Sequence, residues 1–202
     1  MALSKTDVVT PPVRIHFPSL FTKRAVPGAT KETYQAVVMI PPDVSLEPFK
    51  AAMKAALREK FGDKFKLSPA KNPIHDAVEK DYDGYEEGWH FINVNANHAP
   101  AVVDRQKKPL LDVRDLLGLS AEEREAKVSE AEARVYAGAW VRFHLNAYAW
   151  EHPTGGKGVS FGLKAVQFVR DDEPFGTGAS SSADAFEALD SEDSADAEDL
   201  FA

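Results

Sequence analysis

Residues 136–150 read YAGAWVRFHLNAYAW, and the alternation within them decides the fold. Side chains on a strand point alternately to opposite faces. From 139 to 149 the odd positions are Ala139, Val141, Phe143, Leu145, Ala147 and Ala149, all apolar. The even positions are Trp140, Arg142, His144, Asn146, Tyr148 and Trp150. The odd face is a core face. The even face carries three large aromatics, a guanidinium and hydrogen-bonding groups, an unusual set to turn toward water. Residues 158–170, GVSFGLKAVQFVR, supply a partner strand across the turn Thr154-Gly155-Gly156-Lys157-Gly158.

Working outward, Trp89 to Asn97 repeats the pattern: His90, Ile92 and Val94 alternate with Trp89, Phe91, Asn93, Asn95 and Asn97. Val13–Phe17 and Tyr34–Ile40 also alternate, and the second of these stops at Pro41-Pro42. Ser45 opens a helical stripe of Leu46, Phe49, Met53, Leu57 and Phe61, closed by Gly62. Ser120 with Glu123 forms a capping box for a second helix to about Arg134, charged over most of its surface. Ser68 to Gly88 is rich in Pro, Asp and Gly and is expected to be a long loop. Several strands with interposed helices and no βαβ alternation predict a mainly β protein. The expected architecture is an OB-fold-like five-stranded β-barrel with one or two helices over residues 13–170. Residues 1–12, polar and without a signal peptide's apolar stretch, are expected to be a flexible N-terminal arm of a non-secreted protein.

The charge is divided unevenly. The net value of −8 conceals 24 bases and 21 acids in residues 1–170, against eleven acids and no base in 171–202. The body is therefore mildly basic. The last segment, with Ser180-Ser181-Ser182 and acids interleaved with Ala, cannot bury enough surface to offset its ordering entropy, and a disordered acidic tail is expected. Cysteine is absent, which excludes disulfides, thiol nucleophiles and Cys-based zinc sites. No run approaches the ~18 apolar residues of a membrane span.

A basic body with aromatics on an outer strand face suits single-stranded nucleic acid. Bases stack on rings while cations follow the phosphates, and stacking tolerates any sequence. The stacking candidates are Trp89, Phe91, Trp140, Tyr148 and Trp150. The phosphate candidates are Lys23, Lys31, Lys71, Arg105, Lys107, Lys108, Arg142, Lys157 and Lys164, with Arg24 beside Lys23. Against this stands a purely structural role, in which Trp140 and Trp150 are covered by a helix or by the N-terminal arm. Catalytic patterns are weak. No histidine falls in a helical metal-ligand spacing, and there is no Gly-rich phosphate loop or nucleophile elbow. His75-Asp76, or Asp81 with Asp83, has the chemistry to hold a divalent ion as in a nuclease, but such loop carboxylates are more often turn formers. The expectation is a non-enzymatic protein with no cofactor and no metal.

The runs 81–95 (DYDGYEEGWHFINVN), 99–104 (APAVVD), 136–150 and 156–170 (GKGVSFGLKAVQFVR) resemble a family of phage single-stranded DNA-binding proteins of OB fold, enterobacterial phages among its expected sources. The resemblance covers most of residues 12–176. It implies non-specific ssDNA binding in phage DNA replication and recombination, within the host cell cytoplasm. Among the tail acids recur Phe186, Leu189, Leu200 and Phe201, so the ending Asp199-Leu200-Phe201 is a candidate motif for phage or host replication proteins. It is similar to the tails of bacterial and phage single-stranded DNA-binding proteins, but lacks proline and places Ala202 after the aromatic. The same acids imitate a phosphate backbone and are expected to compete with DNA. The alternative is a protein-interaction or DNA-mimic module acting through the tail.

Overall fold

The computed structural model describes residues 3–25, 28, 30–68 and 71–176. Along the chain run β1 (Asp7–Val9), β2 (Val13–Arg24), β3 (Thr33–Ile40), α1 (Glu47–Phe61), β4 (His75–Asp76), β5 (His90–Ala96), β6 (Ala101–Val103), α2 (Ala121–Arg134), β7 (Trp140–His152) and β8 (Gly156–Arg170). Five strands close into a ring, β2–β3–β5–β8–β7 and back to β2. Every pairing in the ring is antiparallel except β5 with β8, which is parallel. This is a Greek-key barrel of OB type. The expected five strands are the ring itself. The whole sheet has eight, because β1 adds to β7, β4 to β5, and β6 continues alongside β8.

The alternation of β7 holds as expected: Val141, Phe143 and Leu145 are fully buried and Ala147 nearly so. Ile15, Val38, Ile92 and Phe161 meet them inside the ring. Helix α1 closes one end, burying Phe49, Ala52, Met53, Ala56 and Leu57; the Phe49 ring meets Phe161 edge-on at 5.9 Å. Pro48 sits in its first turn, and Gly62 ends it at φ 82. The Ser120–Glu123 capping box of α2 forms in both directions, at 2.8 and 3.2 Å.

Three boundaries differ from the sequence expectation. Residues 7–10 are not a free arm: β1 pairs with β7, and Thr10 is wholly buried, exchanging bonds with the Phe143 backbone at 2.9 Å. The 68–88 segment contains β4 and a 3-10 turn, Ala77–Glu79, whose Ala77 is buried against the barrel. The body also does not end at Arg170. Residues 171–176 strap across the outside of the barrel, with Phe175 packed in a second apolar cluster with Val37, Met39, Ala77 and Phe91. The rest of the expected disordered tail, including Asp199, Leu200 and Phe201, lies outside the described residues.

Candidate nucleic-acid interface

The β7–β8 hairpin is a two-stranded ladder whose outward rows pair Trp150 with Gly158, Tyr148 with Ser160, Asn146 with Gly162, Arg142 with Gln167 and Trp140 with Arg170. At the tip, the Trp150 ring packs directly over Gly158. A Cβ at Gly158 would stand 2.1 Å from the indole. The indole N–H donates to Ser160 Oγ at 2.9 Å, and Lys71 Nζ is 5.7 Å from the ring. The glycine thus makes room for an aromatic plate braced by a hydrogen bond. Lys157, two residues before the strand turns inward, stands 4.7 Å above Phe61 and 3.6 Å from Glu151.

Tyr148 is 39% exposed in the middle of the ladder. Arg142 is exposed, and its Nε donates to the Thr10 carbonyl at 3.0 Å. Beside it, Gln167 donates to the carbonyls of Asp104 and Arg105 at 3.3 Å, which fixes the Arg105–Lys108 turn against this face. Asp104 Oδ1 shapes that turn by accepting from the backbones of Gln106 and Lys108, both at 2.8 Å. Lys107 adopts φ 65, and the side chains of Arg105, Lys107 and Lys108 are left exposed and without partners among the described residues. The structure therefore gathers Trp150, Tyr148, Arg142, Lys71 and the Arg105–Lys108 turn along one ladder.

Other candidates are placed differently. Lys164 is paired with Asp7 at 2.7 Å, and this bond holds the Asp7 carboxyl below its ordinary range. Trp140 is capped by the Arg170 guanidinium at 4.3 Å, while its indole N–H donates to Asp172 at 2.5 Å and lowers that carboxyl. Lys23, Arg24 and Lys31 sit at the far end of the β2–β3 hairpin, with Lys23 5.6 Å over Tyr34. Phe91 is not available for stacking. It points outward from β5 as alternation requires, but it is 3% exposed beneath Ala77, Tyr85 and Phe175. Trp89 is half-buried against the same cluster. Asp83, a metal candidate in the sequence, accepts from the Gly176 backbone at 2.7 Å and so anchors the strap.

Sequence reasoning placed Trp89 and Phe91 on the outer face of β5 but missed the aromatic array on the outer face of β2, β3 and β5. There His16, Phe17, Tyr82, Tyr85 and Phe175 make a continuous aromatic array, with neighbouring rings 3.8–5.5 Å apart. Arg14 stacks 4.0 Å over Phe175 and bonds the carbonyls of Gly138 and Glu173. Burial pushes the His16 imidazole down to about 4 and the Tyr85 hydroxyl up to about 12.

The family model described as "Enterobacter phage Enc34, ssDNA-binding protein" matches residues 6–200. The chain belongs to that family. Protein p50 of Acyrthosiphon pisum secondary endosymbiont phage 1 is 30% identical over 187 residues, covering 88% of this chain and 90% of that one. Among solved structures, the single-stranded DNA-binding protein from bacteriophage Enc34 in complex with ssDNA superposes with TM-score 0.66 at 19% identity. It covers 87% of this chain and 97% of its own. The single-stranded DNA-binding protein gp2.5 of bacteriophage T7 follows at TM-score 0.52 and 14% identity, over 91% and 96% of the two chains. At those identities the likeness is one of fold, and it places this Enc34-family member among barrels of the same architecture.

Proposed function

We propose that this Enc34-family protein coats single-stranded DNA without regard to sequence during phage replication and recombination in the host cytoplasm, and that it does so without catalysis. The observation that carries this reading is the β7–β8 ladder, where an indole plate, an exposed tyrosine and free cations succeed one another on one outward face. Strand spacing of ~3.4 Å per residue makes that ladder roughly 40 Å long, room for several nucleotides. Stacking on Trp150 and Tyr148 would fix bases. Arg142, Lys71, Lys157 and the Arg105–Lys108 turn would neutralise phosphates. None of these contacts reads base edges uniquely, so binding is expected to be indifferent to sequence.

The acidic segment beyond residue 176 is proposed to recruit replication proteins through Asp199, Leu200 and Phe201, and to compete with DNA for the cations of the body. A fluorescence titration with oligo(dT), duplex DNA and RNA at two salt concentrations tests the function. Quenching by oligo(dT), weakened by salt and by exchange for duplex, is expected. No quenching and no retention of oligo(dT) would leave the tail-borne protein-interaction reading in its place.

A further inference from the structure

Val113 and Leu117 are the two most exposed large apolar side chains among the described residues, at 74% and 73%. They bracket a 3-10 turn, Val113–Leu116, on the link from β6 to α2. The turn is ordered: the Asp112 carboxylate accepts from the Arg114 N–H at 2.9 Å, and the Leu117 N–H donates to the Arg114 carbonyl at 3.2 Å. It also stands clear of the body, since a Cβ at Gly118 would meet nothing within 4 Å. α2, which follows, buries Ala131 alone. With half-buried Leu116 and Leu119 in the same stretch, this is an apolar elbow that its own chain does not cover. Such surface marks a contact with another molecule.

The molecule carries a matching groove elsewhere. Beside α1, Met53, Leu57, Phe65 and Leu67 form the apolar part of a cleft of about 290 Å³, with Lys50, Lys54 and Arg58 at its rim. Lys54 has no partner among the described residues, while Lys50 and Arg58 pair with the exposed Glu47 and Asp63. The charges are complementary. Residues 50–71 hold seven bases against two acids, and residues 112–125 hold five acids against two bases. Among the latter, Glu122 and Glu125 are exposed and unpaired among the described residues. Elbow and groove lie at opposite ends of β8. Lys157 stands 4.7 Å over Phe61 and 5.9 Å over Phe65, on the groove side. Phe168 lies 5.4 Å beneath Arg134 of α2, and nearby Val102 pairs with Val166 and accepts from the Leu110 N–H. Roughly 35 Å of strand separates Lys157 from Phe168 at ~3.3 Å per residue. The elbow of one copy is therefore free for the groove of another.

We infer that successive copies of this chain join head to tail, the Val113/Leu117 elbow of one seated in the Met53–Leu57–Phe65–Leu67 groove of the next, with Glu122 and Glu125 facing Lys50 and Lys54. A patch that fits a pocket elsewhere on the same surface makes an open chain, not a closed dimer. That chain grows along β8, the direction of the β7–β8 ladder. Two side chains and one turn cover far less than the ~1,000 Å² that holds free proteins together. The contact thus acts where one DNA strand already holds neighbours at high local concentration, a setting that rests on the reading of the protein as an ssDNA binder.

The test uses the full chain on oligo(dT) of one-copy and many-copy length. Val113→Ser/Leu117→Ser and Lys50→Glu/Lys54→Glu change exposed residues and should keep the melting temperature and the affinity for the short oligomer. Each should lower the long-over-short affinity ratio about tenfold or more, the worth of one buried aliphatic side chain. Adding Glu122→Lys/Glu125→Lys to the groove variant should restore much of that ratio. The chain lacks cysteine, so single cysteines report the contact directly. Oxidised on the long oligomer, Leu117→Cys and Leu67→Cys should stay uncrosslinked alone and give one dimer when mixed. An unchanged ratio in both variants, or dimers of Leu117→Cys alone, overturns the contact. Loss of the ratio in the groove variant but not in the elbow variant gives the groove to the acidic 177–202 segment and overturns it too. Failure of wild type to bind any oligo(dT) overturns the ssDNA reading, and the mixed cysteine pair at millimolar protein without DNA then decides the contact alone.

Discussion

Cutting the chain after Arg170 should destabilise it, whereas cutting it after Gly176 should not. Six residues separate the two cuts, and they hold Phe175, 9% exposed between Arg14, His16 and Met39. Complete burial of a phenyl ring is worth about 1.5–3 kcal/mol in transfer alone, and core Phe→Ala changes cost about 3–5 kcal/mol. Phe175 lies at the surface end of its cluster, where a void would fill with water, so Phe175→Ala should cost ~2–3 kcal/mol. In a domain of this size each kcal/mol moves Tm by roughly 2–4 °C, giving a loss of roughly 5–10 °C. Removing 171–202 also deletes the Phe175 N–H bond to Ala137 and the Asp172 partners of Trp140 and Tyr136, so it should melt at least as low as Phe175→Ala. Removing 177–202 should leave Tm within about a degree. The assay is urea and thermal unfolding of the three forms, followed by tryptophan fluorescence and far-UV dichroism. Coincident transitions for the two truncations would refute the strap as part of the fold.

Further outcomes concern the ladder, the cations and pH. Trp150→Ala should weaken oligo(dT) binding by ~1–3 kcal/mol. Gly158→Ala should weaken it too, because its Cβ displaces the ring; normal affinity in both variants would remove Trp150 from the path. Log K should fall linearly with log salt by ~0.7 per phosphate neutralised. Lys107→Ala/Lys108→Ala should lower that slope by about 1, and an unchanged slope removes the turn from the interface. His16 is held near 4 against an ordinary 6.5, so between those values the unfolded chain binds more protons than the folded one. Stability therefore rises with pH across this window and is lost on acidification, ~3 kcal/mol in full and ~2 kcal/mol by pH 5. Urea midpoints from pH 4 to 7 should show this slope in wild type and lose it in His16→Gln; parallel curves for the two would sink the assignment.

What was legible in the residues follows from what is local in space. The inner face of β7, the Ser120–Glu123 capping box and the β7–β8 pairing are set by side chains within a few positions of one another, and local patterns report them faithfully, whereas α1 starts from Leu46 with no side-chain cap where Ser45 was expected to cap it. Phe91 shows the limit. Alternation puts it on the outer face, and it is on the outer face, but its roof comes from Ala77, Tyr85 and Phe175, residues whose arrival no pattern around position 91 announces. The composition break at Arg170 misplaced the end of the body for a similar reason. Asp171, Asp172 and Glu173 look like the start of the acidic run, yet Arg14, Tyr136 and Trp140 hold the segment through its backbone and one carboxylate. Phe17 is the most instructive case. Its apolar position in an alternating run argued for the core, and a single left-handed residue at a bulge reversed its face. Pro18 follows it directly and has no N–H to give a ladder, which within a sheet confines it to edges, strand starts and bulges, so it was a signal in the sequence that the strand does not pass through regularly. Periodicity assigns faces only while the strand stays regular. Where it breaks, the local backbone and not the place in the run decides which face the next side chain takes.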